Sequence, residues 1–309
     1  MSRVLMMCLG LLGVCLAVAV GVRAEEKEEA EHMRFVEDED GAARLETVVV
    51  KMTGPSGVQV DLVGAVHVAD AAYFEGLNER FKGYDAVLYE LVGSPEKGKP
   101  LGNRAVANDA RLGWIGTLQQ KMKEALKLEG QLEKIDYTAT NFVHADMGME
   151  EFQKTQETKQ ETFLGLWLKA MAAQQSVGSS EAAGNDLASV MVLMQILMKK
   201  DGADDLKRLI GREFDQVESI MSGLEAGGGT VIIGERNRVA LEVMAAQIAV
   251  GKKRLAIFYG AGHFPDMQKR LEAMGFKKSG EEWLAAWSVP AQVVEKKKAK
   301  KKVDGEVGK

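Results

Sequence analysis

Cysteine is nearly absent from this chain of 309 residues: the only two, Cys8 and Cys15, lie within its first 24 residues. The remainder has no disulfide bond, no cysteine nucleophile and no thiolate metal site. Its fold must therefore depend on a hydrophobic core, and any metal must be bound by His and carboxylate side chains. A Gly-x-Ser-x-Gly nucleophile elbow, a phosphate-binding loop and a dinucleotide-binding fingerprint are missing as well.

Hydrophobic runs long enough to approach a membrane span are also rare, and the one that stands out lies at the N-terminus. Arg3 precedes an apolar stretch over residues 4–20, and the aliphatic Val22 and the small Ala24 stand before an acidic segment. This pattern predicts a secretory signal peptide over residues 1–24, hence an exported protein, periplasmic or extracellular, with no transmembrane span in the mature chain. The alternative is an uncleaved membrane anchor, although about 17 residues is at the short limit for a span.

The net charge of -5 is unevenly distributed along the chain. Residues 291–309 form a lysine-rich tail, so the rest of the chain is more acidic than the total suggests, and nucleic acid is not an expected partner. We predict that this tail is disordered, with weak contact to anionic surfaces as the alternative. Residues 25–43 are predicted to form an acidic flexible segment, which leaves 44–290 for the folded domain.

Strand-like and helix-like segments alternate at both ends of this domain. Residues 44–53 and 58–63 around "GPSG" predict a β-hairpin, followed by a helix over 70–82, a strand in "YDAVLYEL" and a short strand in "LEKIDY". Further along, "TVIIGERN" and "KRLAIFYGAGH" predict strands with a helix between them, and "WLAAWSV" predicts an edge strand. Residues from about 150 to 225 predict a helical insert. The fold class is therefore α/β, a central β-sheet flanked by helices.

One short pattern occurs twice, near opposite ends of the chain: an apolar strand-like run that ends in Gly-x-x-His. "VDLVGAVH" ends at His67 and "LAIFYGAGH" ends at His263, and an amphipathic helix is predicted after each. Strand ends of this kind are where open α/β sheets bind ligands. His67 and His263 are therefore the strongest candidates for functional residues, with a helix cap or a buried polar contact as the alternative.

Glu90 ends the apolar run "AVLYE", where an unpaired buried carboxylate would be costly. Two neutral imidazoles from His67 and His263 lack only an oxygen ligand to make a divalent-metal site, and Glu90 could supply it. Such a metal, with Mn, Co and Zn as candidates, would polarise a carbonyl group and lower the pKa of bound water. The same residues also suit a metal-free mechanism, in which one His is the general base, a carboxylate orients it and Arg236 stabilises the oxyanion.

Two further segments hold polar residues beside predicted strands. "GERNR" contains Glu235, Arg236 and Asn237, for which a structural salt bridge and a substrate-binding role are both open. In "FVHADM", Asp146 is a predicted helix N-cap, and His144 is a further candidate imidazole. Asn237, His144 and Glu235 are therefore the candidate substrate-binding residues.

The segments "VGAVHVAD", "DAVLYEL", "FVHADM", "IIGERN" and "YGAGHFPDM" occur in this order and resemble the TraB/GumN/Tiki superfamily, whose hallmark is a pair of Gly-x-x-His motifs. The resemblance covers about residues 45–288. It implies a fold shared with erythromycin esterases and haem-binding ChaN proteins, and a metal-dependent protease activity like that attributed to animal Tiki members. On this analogy His67, Glu90 and His263 form the site, with Arg236 and Asn237 at its edge.

Together these observations predict an exported hydrolase, a divalent-metal-dependent peptidase that acts on a peptide or on a small ester or amide. The alternative is a non-catalytic protein that binds haem, iron or a peptide in the same crevice. A hydrolase would lose turnover when His67 or His263 is replaced by Ala, whereas a binding protein would retain a coloured or metal-bearing ligand on purification.

Overall fold

In a computed structural model, the protein is described over residues 32–92, 113–159, 202–212 and 230–291. These residues form a mixed seven-stranded β-sheet flanked by helices, so the predicted α/β fold class is confirmed. The predicted signal peptide, almost all of the lysine-rich tail and most of the predicted helical insert lie outside these ranges. None of the helices in the described part of the chain combines the length and the hydrophobicity that a membrane span requires.

The elements are numbered along the chain. The strands of the described residues are β1 (Met33–Glu37), β2 (Ala43–Thr53), β3 (Gln59–Ala65), β4 (Val68–Ala69), β5 (Ala86–Tyr89), β6 (Glu129–Gly130), β7 (Phe142–His144), β8 (Arg254–Gly260) and β9 (Lys277–Val289). The helices are α1 (Ala71–Phe81), α2 (Gly113–Leu126), α3 (Gln131–Lys134), α4 (Met149–Thr158), α5 (202–212), α6 (Arg236–Ala249) and α7 (Phe264–Ala273).

Four parallel strands form the part of the sheet that carries the candidate residues. They lie side by side in the order β3, β8, β5, β7. Ala65 at the end of β3 pairs with Gly260 at the end of β8, and Tyr89 at the end of β5 pairs with His144 at the end of β7. Because parallel strands all end at the same edge of a sheet, the residues that follow these four strands meet there.

The antiparallel part of the sheet is built around β2. One edge of β2 pairs with β9 along its whole length, and the other edge pairs first with β1 and then with β3. The predicted hairpin is confirmed, since Thr53 pairs with Gln59 across the turn at "GPSG". The predicted edge strand "WLAAWSV" is part of β9, which begins earlier, at Lys277, and pairs only with β2 among the described strands.

Hydrophobic residues are buried on both faces of the sheet. On one face α1 contributes Phe74, Leu77 and Phe81 to the core, and on the other α6 and α7 contribute residues that include Met244 and Leu271. Fully burying one such side chain stabilises the fold by about 1.5–3 kcal/mol. The strands are therefore held firmly between two layers of helices, and the edge at which they end is fixed in position.

The segment "TVIIGERN" differs from its predicted strand. Val231–Glu235 form one turn of π-helix that leads directly into α6. Thr230 caps this turn, because its side-chain oxygen accepts the backbone N–H of Ile233 at 3.1 Å. A short apolar run predicts burial but does not distinguish a strand from a buried helical turn, and this run is buried as a turn.

Two other predictions are also wrong. "LEKIDY" contains the end of α3 instead of a strand, because Leu132 and Ile135 both pack on the core at helical spacing. The segment 25–43, predicted to be flexible, contains β1, where Met33 is buried and pairs with Thr47. The predicted helical insert over about 150–225 is helical in α4 and α5, and the rest of it lies outside the described residues.

Candidate functional site

Polar side chains from three strand ends and one helix meet at the C-terminal edge of the parallel strands. Glu90 follows β5 directly, Asp146 lies two residues beyond β7, and His263 lies three residues beyond β8. Arg236 and Asn237 are the first two residues of α6. These five residues, here called the strand-end cluster, come from four separate segments of the chain.

Arg236 is buried and joins two carboxylates. Its Nε and Nη2 donate to the two oxygens of Asp146 at 2.9 and 2.7 Å, and Nη2 also donates to Oε1 of Glu90 at 2.6 Å. Its Nη1 donates to the backbone carbonyl of Ile232 at 3.4 Å. A bidentate Arg–carboxylate pair fixes the relative orientation of the two side chains in addition to neutralising their charges. Most of the guanidinium N–H groups are therefore engaged within the protein, and the partners are Glu90 and Asp146 instead of the neighbouring Glu235.

Glu90 is held in its ionised form. Burial would raise the pKa of Glu90, but the charge of Arg236, the ring of His263 and the backbone N–H of Gly260 outweigh it and hold this pKa well below its usual range. The N–H of Gly260 donates to Oε2 of Glu90 at 2.7 Å. The carboxylate is therefore charged at neutral pH, with one oxygen on the backbone of β8 and the other on Arg236.

His263 is buried, and Asn237 fixes the position of its ring hydrogen. The Nδ2 of Asn237 donates to the carbonyl oxygen of His263 at 3.0 Å and to Oδ2 of Asp266 at 2.8 Å, so its Oδ1 must face the imidazole. That oxygen lies 2.6 Å from Nδ1 of His263. Because an amide oxygen only accepts, Nδ1 carries a hydrogen, so in the neutral form of the ring the lone pair lies on Nε2.

A gap separates Nε2 of His263 from Oε1 of Glu90. The two atoms are 3.6 Å apart, which is too long for a hydrogen bond. Both atoms are acceptors when the ring is neutral, so they face each other favourably only with a proton, a water molecule or a cation between them. Two ligands of one tetrahedral metal would be about 3.4 Å apart if each bond were about 2.1 Å long.

His67 follows β3 and, unlike His263, is exposed. The protein around its ring disfavours the charged form, and this desolvation lowers the pKa of His67. The charge of Glu90 and a contact with Gln131 oppose the shift, whereas Arg236 adds to it. β3 ends beside β8, where Ala65 pairs with Gly260, so His67 lies near the strand-end cluster, on its accessible side. Its lowered pKa leaves the ring neutral at neutral pH.

Two candidate residues are not brought into the cluster. Nε2 of His144 lies 2.7 Å from the carbonyl oxygen of Leu91, so this histidine contacts the segment that follows Glu90 instead of the cluster itself. Glu235 forms ion pairs with Lys159 at 2.9 Å and with Arg238 at 3.0 Å.

Asp146 is the residue of the strand-end cluster that the sequence-based prediction assigned differently. Its Oδ1 accepts the N–H of Met147 at 2.7 Å, but the N-cap of α4 is Gly148, and both carboxylate oxygens bind Arg236. The neighbours Ala145 and Met147 are fully buried, and an Asp between buried residues needs a partner. That apolar context was the signal that could have identified the ion pair.

Asp266, three residues after His263, binds the side chain of Asn237. Its Oδ2 accepts from the Asn237 amide at 2.8 Å and from Nε of Arg270 at 2.7 Å. Asp70 has the same place after His67, but its Oδ2 accepts the backbone N–H of Ser288 at 2.8 Å. The aspartates that follow the two Gly-x-x-His motifs therefore bind different groups: Asp266 binds the side chains of Asn237 and Arg270, and Asp70 binds a backbone N–H.

The predicted metal ligands fit a metal only in part. No group of three His, Cys, Asp or Glu side chains surrounds a common point among the residues that the structure describes. Glu90 Oε1 and His263 Nε2 are spaced as two ligands would be, but the guanidinium of Arg236 already binds that oxygen and would repel a cation. The three-ligand site of His67, Glu90 and His263 is thus not formed in this arrangement.

A polar cavity of about 300 Å³ lies at the opposite edge of the sheet, near the turn between β2 and β3 and the first residue of β8. Within its lining, Tyr84 donates to Oδ2 of Asp61 at 2.6 Å, and Arg80 binds Glu282, which lies outside the lining. It shares no residue with the strand-end cluster.

The fold and the cluster define an α/β protein with a buried ion-pair network at the C-terminal edge of its parallel strands. No protein-family model matches the chain, and no curated protein matches it significantly. The resemblance to the TraB/GumN/Tiki superfamily therefore stays a prediction.

Proposed function

We propose that this protein is an exported hydrolase of the TraB/GumN/Tiki kind, which activates water at the strand-end cluster and cleaves an ester, amide or peptide bond. The observation that carries the proposal is the gap of 3.6 Å between Nε2 of His263 and Oε1 of Glu90. A water molecule in this gap can donate a hydrogen to either acceptor.

In this proposal Nε2 of His263 is the general base. It takes the proton from water as the oxygen attacks the carbonyl carbon of the substrate, and it returns the proton to the leaving group when the tetrahedral intermediate collapses. Asn237 keeps the hydrogen on Nδ1, so the reactive lone pair always points at the gap. Glu90 stabilises the imidazolium that forms, because its negative charge lies close by in a buried setting.

Arg236 and Asp146 act through Glu90. Arg236 lowers the pKa of Glu90, so Glu90 stays ionised and does not itself take the proton. Asp146 holds the guanidinium in place with two hydrogen bonds. His67 is exposed and neutral beside the cluster, and in this proposal it contacts the substrate.

Turnover by a Glu90→Gln variant tests the proposal. The wild-type chain is first screened against fluorogenic peptides, p-nitrophenyl esters and aryl amides. We expect Glu90→Gln to lower kcat by about 10²–10⁴-fold on the best substrate, because the proton acceptor loses its charged partner. Glu235→Gln is the matched control: this carboxylate adjoins Arg236 in sequence but pairs with Lys159 and Arg238. Equal turnover by the two variants, at equal melting temperatures, would refute the proposal.

A chelator separates the metal-free mechanism from the predicted metal-dependent peptidase. The metal-free mechanism predicts the same turnover before and after treatment with EDTA. Loss of turnover that Mn, Co or Zn restores would support metal binding by His67, Glu90 and His263, with Glu90 released from Arg236. No turnover on any substrate, together with a retained coloured or metal-bearing ligand, would support the binding alternative.

A further inference from the structure

We propose that the polar cavity at the edge of the sheet opposite the strand-end cluster is a second binding site, which takes a small hydroxylated anion, a phosphate or a carboxylate. The charged side chains around the cavity carry this inference. It does not depend on the proposed hydrolase activity, because the cavity and the cluster have no residue in common.

The cavity lies where the parallel strands β3 and β8 begin. Its volume of about 300 Å³ is at the lower end of the range for small-molecule sites, so its size suits a small metabolite. Most of the residues that line it belong to β2, β3, β8, β9 and the C-terminal end of α1. A ligand in the cavity would therefore be held mainly by regular elements of the fold.

Three positively charged side chains converge on this cavity: Lys51 from β2, Arg80 from α1 and Arg254 from β8. Asp61 is the one carboxylate among the described residues that line it. The chain as a whole is acidic, with a net charge of -5. The cavity thus concentrates positive charge on an otherwise acidic protein, and such a concave positive surface attracts anions.

The protein neutralises only part of this positive charge. Glu282 binds Arg80 and also lies 3.4 Å from Nζ of Lys51, so one carboxylate serves two cations. Arg254 is exposed, and its guanidinium forms no ion pair with another residue in the described ranges. Asp85 accepts the backbone N–H of Arg254 at 3.0 Å instead. The guanidinium of Arg254 is therefore available for two parallel hydrogen bonds to a phosphate or a carboxylate.

Asp61 and the hydroxyl groups of the lining favour a ligand that carries a hydroxyl group beside its anionic group. Tyr84 donates to Oδ2 of Asp61 at 2.6 Å and so holds this carboxylate at the cavity wall. Asp61 would repel a bare anion, whereas a hydroxyl group of the ligand can donate to it. Thr53 and Ser279, which are hydrogen-bonded to each other at 3.1 Å, add two hydroxyl groups to the lining.

An NMR titration of the full chain tests this site. The chain is labelled with ¹⁵N, and its amide signals are followed while glycerol phosphate, glycerate or glycerol is added at constant ionic strength. We expect saturable shifts at the amides of Thr53, Asp61 and Ser279 with at least one of the two anions, and none with glycerol. The anion that saturates at the lower concentration distinguishes a phosphate ligand from a carboxylate ligand.

Two variants that remove the same charge separate a specific site from general electrostatic attraction. Arg254→Gln should raise the dissociation constant of the better anion by about 10- to 100-fold, because charge-assisted hydrogen bonds are lost. Lys253→Gln is the matched control, since Lys253 is the preceding residue and is also exposed but does not line the cavity. It should leave the dissociation constant nearly unchanged, because solvent and salt screen its charge.

Weaker binding in Arg254→Gln alone would support the inference. Equal weakening in both variants, saturation by glycerol at the same concentrations as the anions, or no saturable shift with either anion would overturn it. Both substituted side chains are exposed, so the two variants should keep the melting temperature of the wild type. None of these outcomes requires turnover, so failure of the hydrolase proposal leaves the test intact.

Discussion

Replacing Arg236 by Met is expected to destabilise the protein severely. The change keeps most of the side-chain volume but removes the charge that lies between Glu90 and Asp146. The side chain of Asp146 is 0 % exposed and that of Glu90 is 19 % exposed, so neither carboxylate can recover full hydration. The variant would hold two buried negative charges with no cation between them.

The size of the expected loss of stability follows from the two negative charges that remain without a positive partner. Removing one partner of a buried ion pair costs about 3–5 kcal/mol, because an uncompensated charge stays behind. Arg238→Met provides a matched control on the same helix. Arg238 also faces two carboxylates, Glu235 at 3.0 Å and Glu242 at 2.7 Å, but its side chain is 43 % exposed. Surface pairs of this kind contribute about 0–1 kcal/mol.

Urea denaturation followed by circular dichroism at neutral pH measures both variants. We expect the free energy of unfolding to fall by about 3–5 kcal/mol in Arg236→Met and by about 1 kcal/mol or less in Arg238→Met. Losses of similar size in the two variants would show that the buried network does not contribute as described.

Two other predictions concern acid stability and close packing. The depressed pKa of Glu90 adds stability above its usual value of 4.5, and this contribution is lost as the pH falls toward the lower pKa of the folded state. Glu90→Gln should therefore lose less stability than the wild type between about pH 5 and about pH 2, measured by urea denaturation; an equal loss would contradict the assignment. Gly64→Ala should cost about 1–3 kcal/mol, because a Cβ there would lie 3.1 Å from both the Cβ of Thr47 and the carbonyl oxygen of Val48. Gly76→Ala, in open space on α1, should instead add about 0.5–1 kcal/mol, and the same sign for both alanines would refute this account.

The sequence predicted those features that depend on local pattern. Apolar runs that end at polar residues marked β3, β5 and β8, and their ends placed His67, Glu90 and His263 at a common edge of the sheet. The helices after β3 and β8 followed from amphipathic spacing in the same way. These predictions succeeded because parallel strands buried on both faces have a distinct composition.

Strand order and side-chain pairing could not be predicted in this way. β8 lies between β3 and β5, so a strand from near the C-terminus separates two strands that are close in sequence. This insertion brings Gly260 next to Glu90 and aligns the two Gly-x-x-His segments as neighbours. The ion pair between Asp146 and Arg236 likewise depends on a turn that the pattern of "TVIIGERN" does not distinguish from a strand. Such contacts are set by the tertiary arrangement rather than by local sequence.

In the proposed mechanism, the two Gly-x-x-His motifs serve one site. Its most direct test is kcat/KM of His67→Ala, His263→Ala and the double variant, on the best substrate found for the wild type. We expect kcat/KM to fall by about 10²–10⁴-fold in each single variant. The double variant should fall no further than the less active of the two single variants, because the effects of residues that act as a unit are not additive. Losses that multiply in the double variant, or full activity in either single variant, would contradict the claim.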